Sequence, residues 1–303
     1  MKAVQFNKYG GPEVLQVVEV DEPHAGPGEV RIAVRAAGVN PSDWKRLAGQ
    51  YREFEELTFP SGIGVEASGI VDEVGAEVPG VSVGDAVFGC GEHANAMAQY
   101  AVLTDWAHKP EKVSFEVASG LSVIADTATR ALDEAGVASG QTLLVSGAAG
   151  GIGSAVLQLA RLRGIRVIGT ASAQNHDYLR ELGAIPTAYG RGLAERVRKL
   201  APQGVDAALD LAGSGIIPEL IEIVGDPSHV LSVADFSAPQ YGVKFSHGPS
   251  KDLERVLVDV ARLCSEGHFR LHVGRTFPLE QAREAQEISA KGRVTGKLVI
   301  TIV

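Results

Sequence analysis

Three glycines, Gly147, Gly150 and Gly153, stand three residues apart in the run GAAGGIG. The apolar run TLLVS precedes them, and SAVLQLAR, apolar at helical spacing, follows. A glycine turn between strand and helix lets backbone come close to a pyrophosphate, which the free N–H groups and dipole of the helix start attract. The spacing departs by one residue from the common G-x-G-x-x-G, but it permits the same chemistry. Contacts are expected from Gly147, Ala148, Gly150, Gly151, Ile152 and Gly153. A tight turn that binds nothing is the alternative; the surrounding strand–helix–strand unit of about 30 residues weighs against it.

A site for NAD usually carries Asp or Glu at the end of the second strand, where it binds the ribose 2′-hydroxyl. Here the chain reads Ile168, Gly169, Thr170, Ala171, Ser172, with no acid. Nothing there repels a 2′-phosphate, and Ser172, Asn175 and His176 can donate hydrogen bonds to one, so NADPH is the expected cofactor. Ser172 and Asn175 are equally suited to capping the helix that follows. Val233 and Ala234 follow a later apolar run and fall at the carboxyl end of the fifth strand, where nicotinamide lies in such sheets.

These residues need a sheet to hold them. From about Glu116 onward, apolar strands alternate with Ala-, Leu- and Arg-rich helical stretches: TLLVSG, SAVLQLARLRG, IRVIGTAS, LAERVRKLA, VDAALDLAG, HVLSVADF and LERVLVDVARLCSEG. That is the pattern of a doubly wound parallel sheet covered by helices, an α/β fold. Before it, VRIAVRAAGV, ASGIVDEVG and QYAVL are short β-branched runs punctuated by Gly, Pro and Asp, so this part is mainly β. The closing segments FRLHVGRTFPL, EQAREAQEISAKG and GKLVITIV read as strand, helix and strand able to return to the first part. The expected division is 1–117 with 270–303 as one domain and 118–269 as the other.

Composition narrows the partners. The 303 residues are 45% hydrophobic, enough for one or two cores without disulfides or metals. The net charge of −9 disfavours nucleic acid and anionic lipid, leaving small molecules as ligands. No apolar run approaches the roughly 20 residues that a spanning helix needs. The opening MKAVQFNKYGGPEVL reads as strands around a turn, not as a cleavable leader, so a cytoplasmic location is expected. Cys90 and Cys264 are far apart and form no C-x-x-C pair. Cys90 and His93 in FGCGEH lack the further ligands a metal requires, and no metal site is expected.

Several segments together, MKAVQFNKYGGPEVL, AAGVNPSDWKRLAG, GIGVEASGIVDEVG, VSVGDAVFG, GAAGGIGSAVLQLAR and VTGKLVITIV, give a sequence that resembles the zinc-independent, zeta-crystallin-like quinone oxidoreductases of the medium-chain dehydrogenase/reductase superfamily. The resemblance implies a GroES-like β domain, a Rossmann domain, an active cleft where they meet, and a homodimer. It implies that Asn40 and Asp43 of the N-P-S-D turn form the cleft floor, Asn40 bonding a substrate carbonyl, with Tyr51 bonding it or giving a proton. Thr127, in the helix start IADTAT, matches a threonine that packs near nicotinamide. Tyr189 matches a tyrosine lining the adenosine phosphate pocket, and Lys297 matches a position near the cofactor. Each also has a plainer role: a self-bonded turn, an exposed loop aromatic, a helix-start residue or a strand-end aromatic.

Zinc-containing relatives place Cys where this chain has Gly38 or Asn40, and His where it has Val65 before Glu66. Valine is no ligand, and no four-cysteine lobe is present. The implied activity is hydride transfer from NADPH to a quinone or activated enone. Two other readings stay open: an enoyl or alkenal reductase on the same fold, and an NADPH-binding protein without turnover.

Overall fold

A computed structural model of the chain describes residues 1–53, 55–91, 95–292 and 294–302; His93 lies outside them. Two compact units emerge, Met1–Val123 with Leu253–Val303, and Ile124–Asp252. These limits differ from the expected boundaries at 117 and 270. The helix Leu253–Ser265 packs against the strand Asp105–His108 and so goes with the first unit. Among the described residues, no helix is long and apolar enough to cross a membrane.

The first unit is built on a seven-stranded sheet and a three-stranded sheet. Its central strand, Val30–Val39, begins with the alternation expected of a half-covered surface: Val30, Ile32 and Val34 are buried between less buried neighbours. From Ala36 to Val39 every residue is buried, because both faces are covered there. On one side Val30–Val39 pairs antiparallel with Glu66–Val74, Ala37 opposite Ala67. On the other it pairs antiparallel with Lys297–Thr301, Leu298 opposite Val39. The closing segment therefore returns to the first part of the chain, and its register sets Lys297 beside Asn40. Asn40 then caps the helix Pro41–Leu47, where proline at the first helical position costs no backbone bond.

The second unit holds a six-stranded parallel sheet: Ile185–Thr187, Arg166–Thr170, Thr142–Ser146, Ala207–Asp210, Val230–Ser232 and Lys244–Phe245 in spatial order. By rank along the chain the order is 3-2-1-4-5-6, the doubly wound arrangement in which ligands bind outside the carboxyl ends where the order reverses. Leu143, Leu144 and Val145 are fully buried in the first strand, as strands covered on both faces require. One expectation shifts. The helix thought to start within residues 124–129 begins at Leu121, directly after the turn through Ser119 and Gly120. Thr127 thus lies in its second turn and is buried.

Candidate functional site

The glycine turn sits at the reversal point. Gly147, at φ +75°, leaves the first strand in a left-handed conformation that suits glycine. Thr170, ending the neighbouring strand, holds the turn: its carbonyl accepts the Ala148 N–H at 3.1 Å and its hydroxyl the Gly147 N–H at 3.4 Å. The helix Gly151–Leu162 is capped by Gly150, so the N–H groups of Gly151, Ile152 and Gly153 belong to the first turn, which leaves its donors without intrahelical acceptors. A Cβ on Gly153 would stand 2.4 Å from the Gly147 carbonyl oxygen. The third glycine thus allows helix and turn to touch. One on Gly150 would meet only that oxygen, at 3.5 Å, so this position faces open space. The structure brings together the whole run from Gly147 to Gly153.

Beyond the strand Arg166–Thr170 the chain passes Ala171 and Ser172 into a short turn and the helix His176–Glu181. Neither Ser172 nor Asn175 caps through its side chain. Asn175 Nδ2 instead donates to Ser172 Oγ at 3.4 Å, and His176 Nε2 lies 3.3 Å from the Ala171 carbonyl oxygen. Tyr189, two residues past the strand Ile185–Thr187, is 62% exposed. These residues crowd the carboxyl ends of strands two and three.

Two residues that sequence reading passed over order the other side. Asp210 ends the fourth strand and is fully buried; its Oδ1 accepts the N–H groups of Ala212 at 3.1 Å and Gly213 at 3.0 Å. Its Oδ2 accepts the Ser232 hydroxyl at 2.9 Å, and Ser232 Oγ accepts the N–H groups of Ala234 at 3.2 Å and Asp235 at 3.0 Å. One carboxylate thereby sets two loops, including Ala234, while the Val233 N–H bonds the Asp210 carbonyl at 3.0 Å. The available signal was a polar residue closing each apolar run, AALD and VLS. Ser232→Ala removes an acceptor from two N–H groups and a donor from one carboxylate oxygen, and is expected to cost about 1–2 kcal/mol in urea unfolding. A loss below about 0.5 kcal/mol would rule this relay out.

In the first unit, three neighbouring strands converge on a buried polar cluster. Lys297 Nζ donates to Asn40 Oδ1 and to Glu66 Oε1, each at 2.6 Å. Asn40 Nδ2 donates to the same Glu66 oxygen at 2.9 Å, and Glu66 Oε2 accepts the Val123 N–H at 2.8 Å. Asp43, at the third helical position, accepts the Asn40 main-chain N–H at 2.8 Å and Gln286 Nε2 at 3.2 Å. Gln286 arrives on the helix Ala282–Ala290, which packs on Pro41–Leu47. Burial pushes the Asp43 carboxyl from 3.8 up to about 6, against the pull of these donors and of Lys297. Tyr51 is half-buried, and its hydroxyl is pushed above its ordinary value by burial first, then by the charges of Asp43 and Glu55.

Asn40, Asp43 and Lys297 are therefore together, with Tyr51 close enough to feel Asp43. Lys297 and Asn40 belong to the first unit, whereas the glycine turn and Thr127 belong to the second. Glu66 and Gln286 were missed; Glu66 drew notice only because valine precedes it. Asn40 also differs from a freely offered donor, since its amide oxygen and one N–H are already engaged.

A parallel sheet in doubly wound order, with a glycine turn at its reversal point, and a β unit closed by a returning strand define an α/β protein of Rossmann type carrying a GroES-like domain. Residues 26–113 match the family model "Alcohol dehydrogenase GroES-like domain", and residues 182–300 match "Zinc-binding dehydrogenase". The chain is 30% identical to the quinone-oxidoreductase QR1, chloroplastic, of Triphysaria versicolor, over 99% of this chain and 98% of that protein. It superposes on the quinone oxidoreductase structure from Coxiella burnetii with TM-score 0.85 and 31% identity, covering 100% of this chain and 99% of that one. It is also 33% identical, over 91% of its length, to the pikromycin polyketide synthase component PikAII of Streptomyces venezuelae, of which it spans only 8%. The chain belongs to the quinone oxidoreductase branch of the medium-chain dehydrogenase/reductase superfamily.

Proposed function

We propose that this protein uses NADPH to reduce a quinone or an activated enone, without zinc. The observation that carries the reading is the cradle of residues 147–153 at the sheet's reversal point, followed by a second strand that ends at Thr170 and runs on through Ala171 and Ser172 with no acid. Tyr189, exposed beside that strand end, and Ser172, Asn175 and His176 are suited to a 2′-phosphate. The names of the Triphysaria and Coxiella relatives support a quinone as acceptor.

When bound, the dinucleotide supplies a hydride; reducing a quinone to hydroquinone takes that hydride and a proton overall. The chain's own residues orient the acceptor and handle the proton. Asn40 offers an amide N–H to the acceptor oxygen, and Tyr51, whose hydroxyl feels the Asp43 charge, is the candidate to pass a proton. Zinc fits these residues poorly. Gly38 and Val65 bring no donor, and a Cβ on residue 38 would lie 2.5 Å from Glu66 Oε1. The Lys297 ammonium already sits between the Asn40 and Glu66 oxygens, where a cation would compete with it.

The test follows oxidation of NADPH and of NADH by chelator-treated protein across a panel of quinones and enals, each with an enzyme-free control. Faster oxidation of NADPH with quinones is expected. Turnover confined to enals selects carbon–carbon double-bond reduction, and bound NADPH with no turnover on any acceptor overturns the proposal.

A further inference from the structure

Lys297 and Glu66 form an ion pair whose side chains are 4% and 0% exposed. Taking both charges out of water is costly, and apolar residues of similar volume commonly hold a fold as well or better. Stability alone therefore gives the pair little purpose. What it does locally is specific. An ammonium can only donate and a carboxylate can only accept, so the Asn40 amide, bonded to both, has a single permitted orientation. Turning it over would set N–H against ammonium and oxygen against carboxylate.

The partners are themselves held. Val123 fixes the second oxygen of Glu66, and Gly38 leaves room for the first. Gly120 leaves room for the lysine stem, since a Cβ there would lie 2.8 Å from Lys297 Cγ. Asp43 fixes the Asn40 main-chain N–H. Among the described residues, these bonds engage the Asn40 amide oxygen and one of its N–H groups, and the second N–H is the donor they leave for a ligand.

From this we infer that Lys297 and Glu66 are positioning residues: they lock the Asn40 amide so that its second N–H meets the carbonyl oxygen of the quinone or enone. The inference rests on the function proposed above. It requires that the pair matter for turnover even when the fold no longer needs it.

Four proteins test this: wild type, Lys297→Met, Glu66→Gln, and the double variant. Each single variant leaves one buried charge alone, and its melting temperature should fall. The double variant leaves neither, so its melting temperature and NADPH affinity should return to near the wild-type values, while kcat with duroquinone stays roughly 100-fold down, as expected for a misplaced donor. A double variant that regains kcat along with stability overturns the inference, because the pair would then be purely structural. Should the double variant fail to fold, the wild type still decides. With 15N-asparagine labelling, and Asn40 assigned by its loss in Asn40→Asp, one side-chain amide proton should be protected from exchange, and the other should shift when duroquinone is added with NADP+. A quinone-insensitive second proton also overturns it. If the wild type reduces no quinone or enal, the functional reading fails on its own, and the Asn40 protons still report whether the lock exists.

Discussion

Gly153→Ala is expected to lower the unfolding free energy by about 3 kcal/mol and to weaken NADPH binding at least tenfold. The added methyl would sit 2.4 Å from the Gly147 carbonyl oxygen and 2.7 Å from the Ala148 Cα, and both are backbone atoms. Neither can swing aside as a side-chain tip would. The Thr170 bonds hold the turn from the far side, so the helix start must move away, taking the Gly151 and Ile152 donors with it. Gly150→Ala separates the two roles of the glycines. Its methyl meets little protein, and the apoprotein should stay within about 1 kcal/mol of wild type. Binding should still weaken, because that methyl would project toward the pyrophosphate. Urea unfolding of the apoproteins beside NADPH titrations reads both quantities. Equal stability of the two variants would refute the packing role given to Gly153.

Asp43→Asn is expected to change how stability depends on pH. Burial raises the Asp43 carboxyl from 3.8 to about 6, so the folded chain holds this proton more tightly than the unfolded chain does. Its contribution is fully present below about pH 3.8 and is lost as pH rises through about 6. The total change is about 3 kcal/mol. Asparagine carries no such proton. Its oxygen can accept the Asn40 N–H, and its amide can donate to the Gln286 Oε1, which has no partner among the described residues. Relative to wild type, the variant should therefore gain about 2 kcal/mol between pH 4 and 7, read as the difference of two unfolding series. Parallel series would mean that Asp43 titrates near its ordinary value.

Much of this architecture was legible because short-range patterns carried it. The alternation through Val30, Ile32 and Val34, the unbroken apolar run Leu143, Leu144 and Val145, and the glycines at three-residue spacing each announce a local geometry. The strand, glycine turn and helix of the cradle follow from those alone, while its place at the sheet's reversal point comes from the strand order. The polar cluster does not. Lys297 reaches Asn40 and Glu66 across 257 and 231 positions of sequence, a pairing set by strand register that no local pattern records. Asn40 looked like a free donor for the same reason. Its partners lie on two strands whose neighbours become evident only once the sheet is assembled. Asp210 and Ser232 escaped notice because a lone polar residue ending an apolar run is also what an ordinary strand end shows. The helix start at Leu121 differs from the expected one because Gly120, directly before it, has no side chain to mark a cap.

The sheet of the first unit is discontinuous along the chain, with residues 124–252 lying between its two contributions. A ribosome makes the chain in one direction, so the whole parallel-sheet unit is synthesised before the strand Lys297–Thr301 exists. Until then, Glu66 and Asn40 lack their lysine, and the edge of Val30–Val39 that this strand will cover stays open. Birth order thus makes assembly of the buried polar cluster a late event of biogenesis, and the nascent chain must keep that edge from pairing with a neighbour in the meantime.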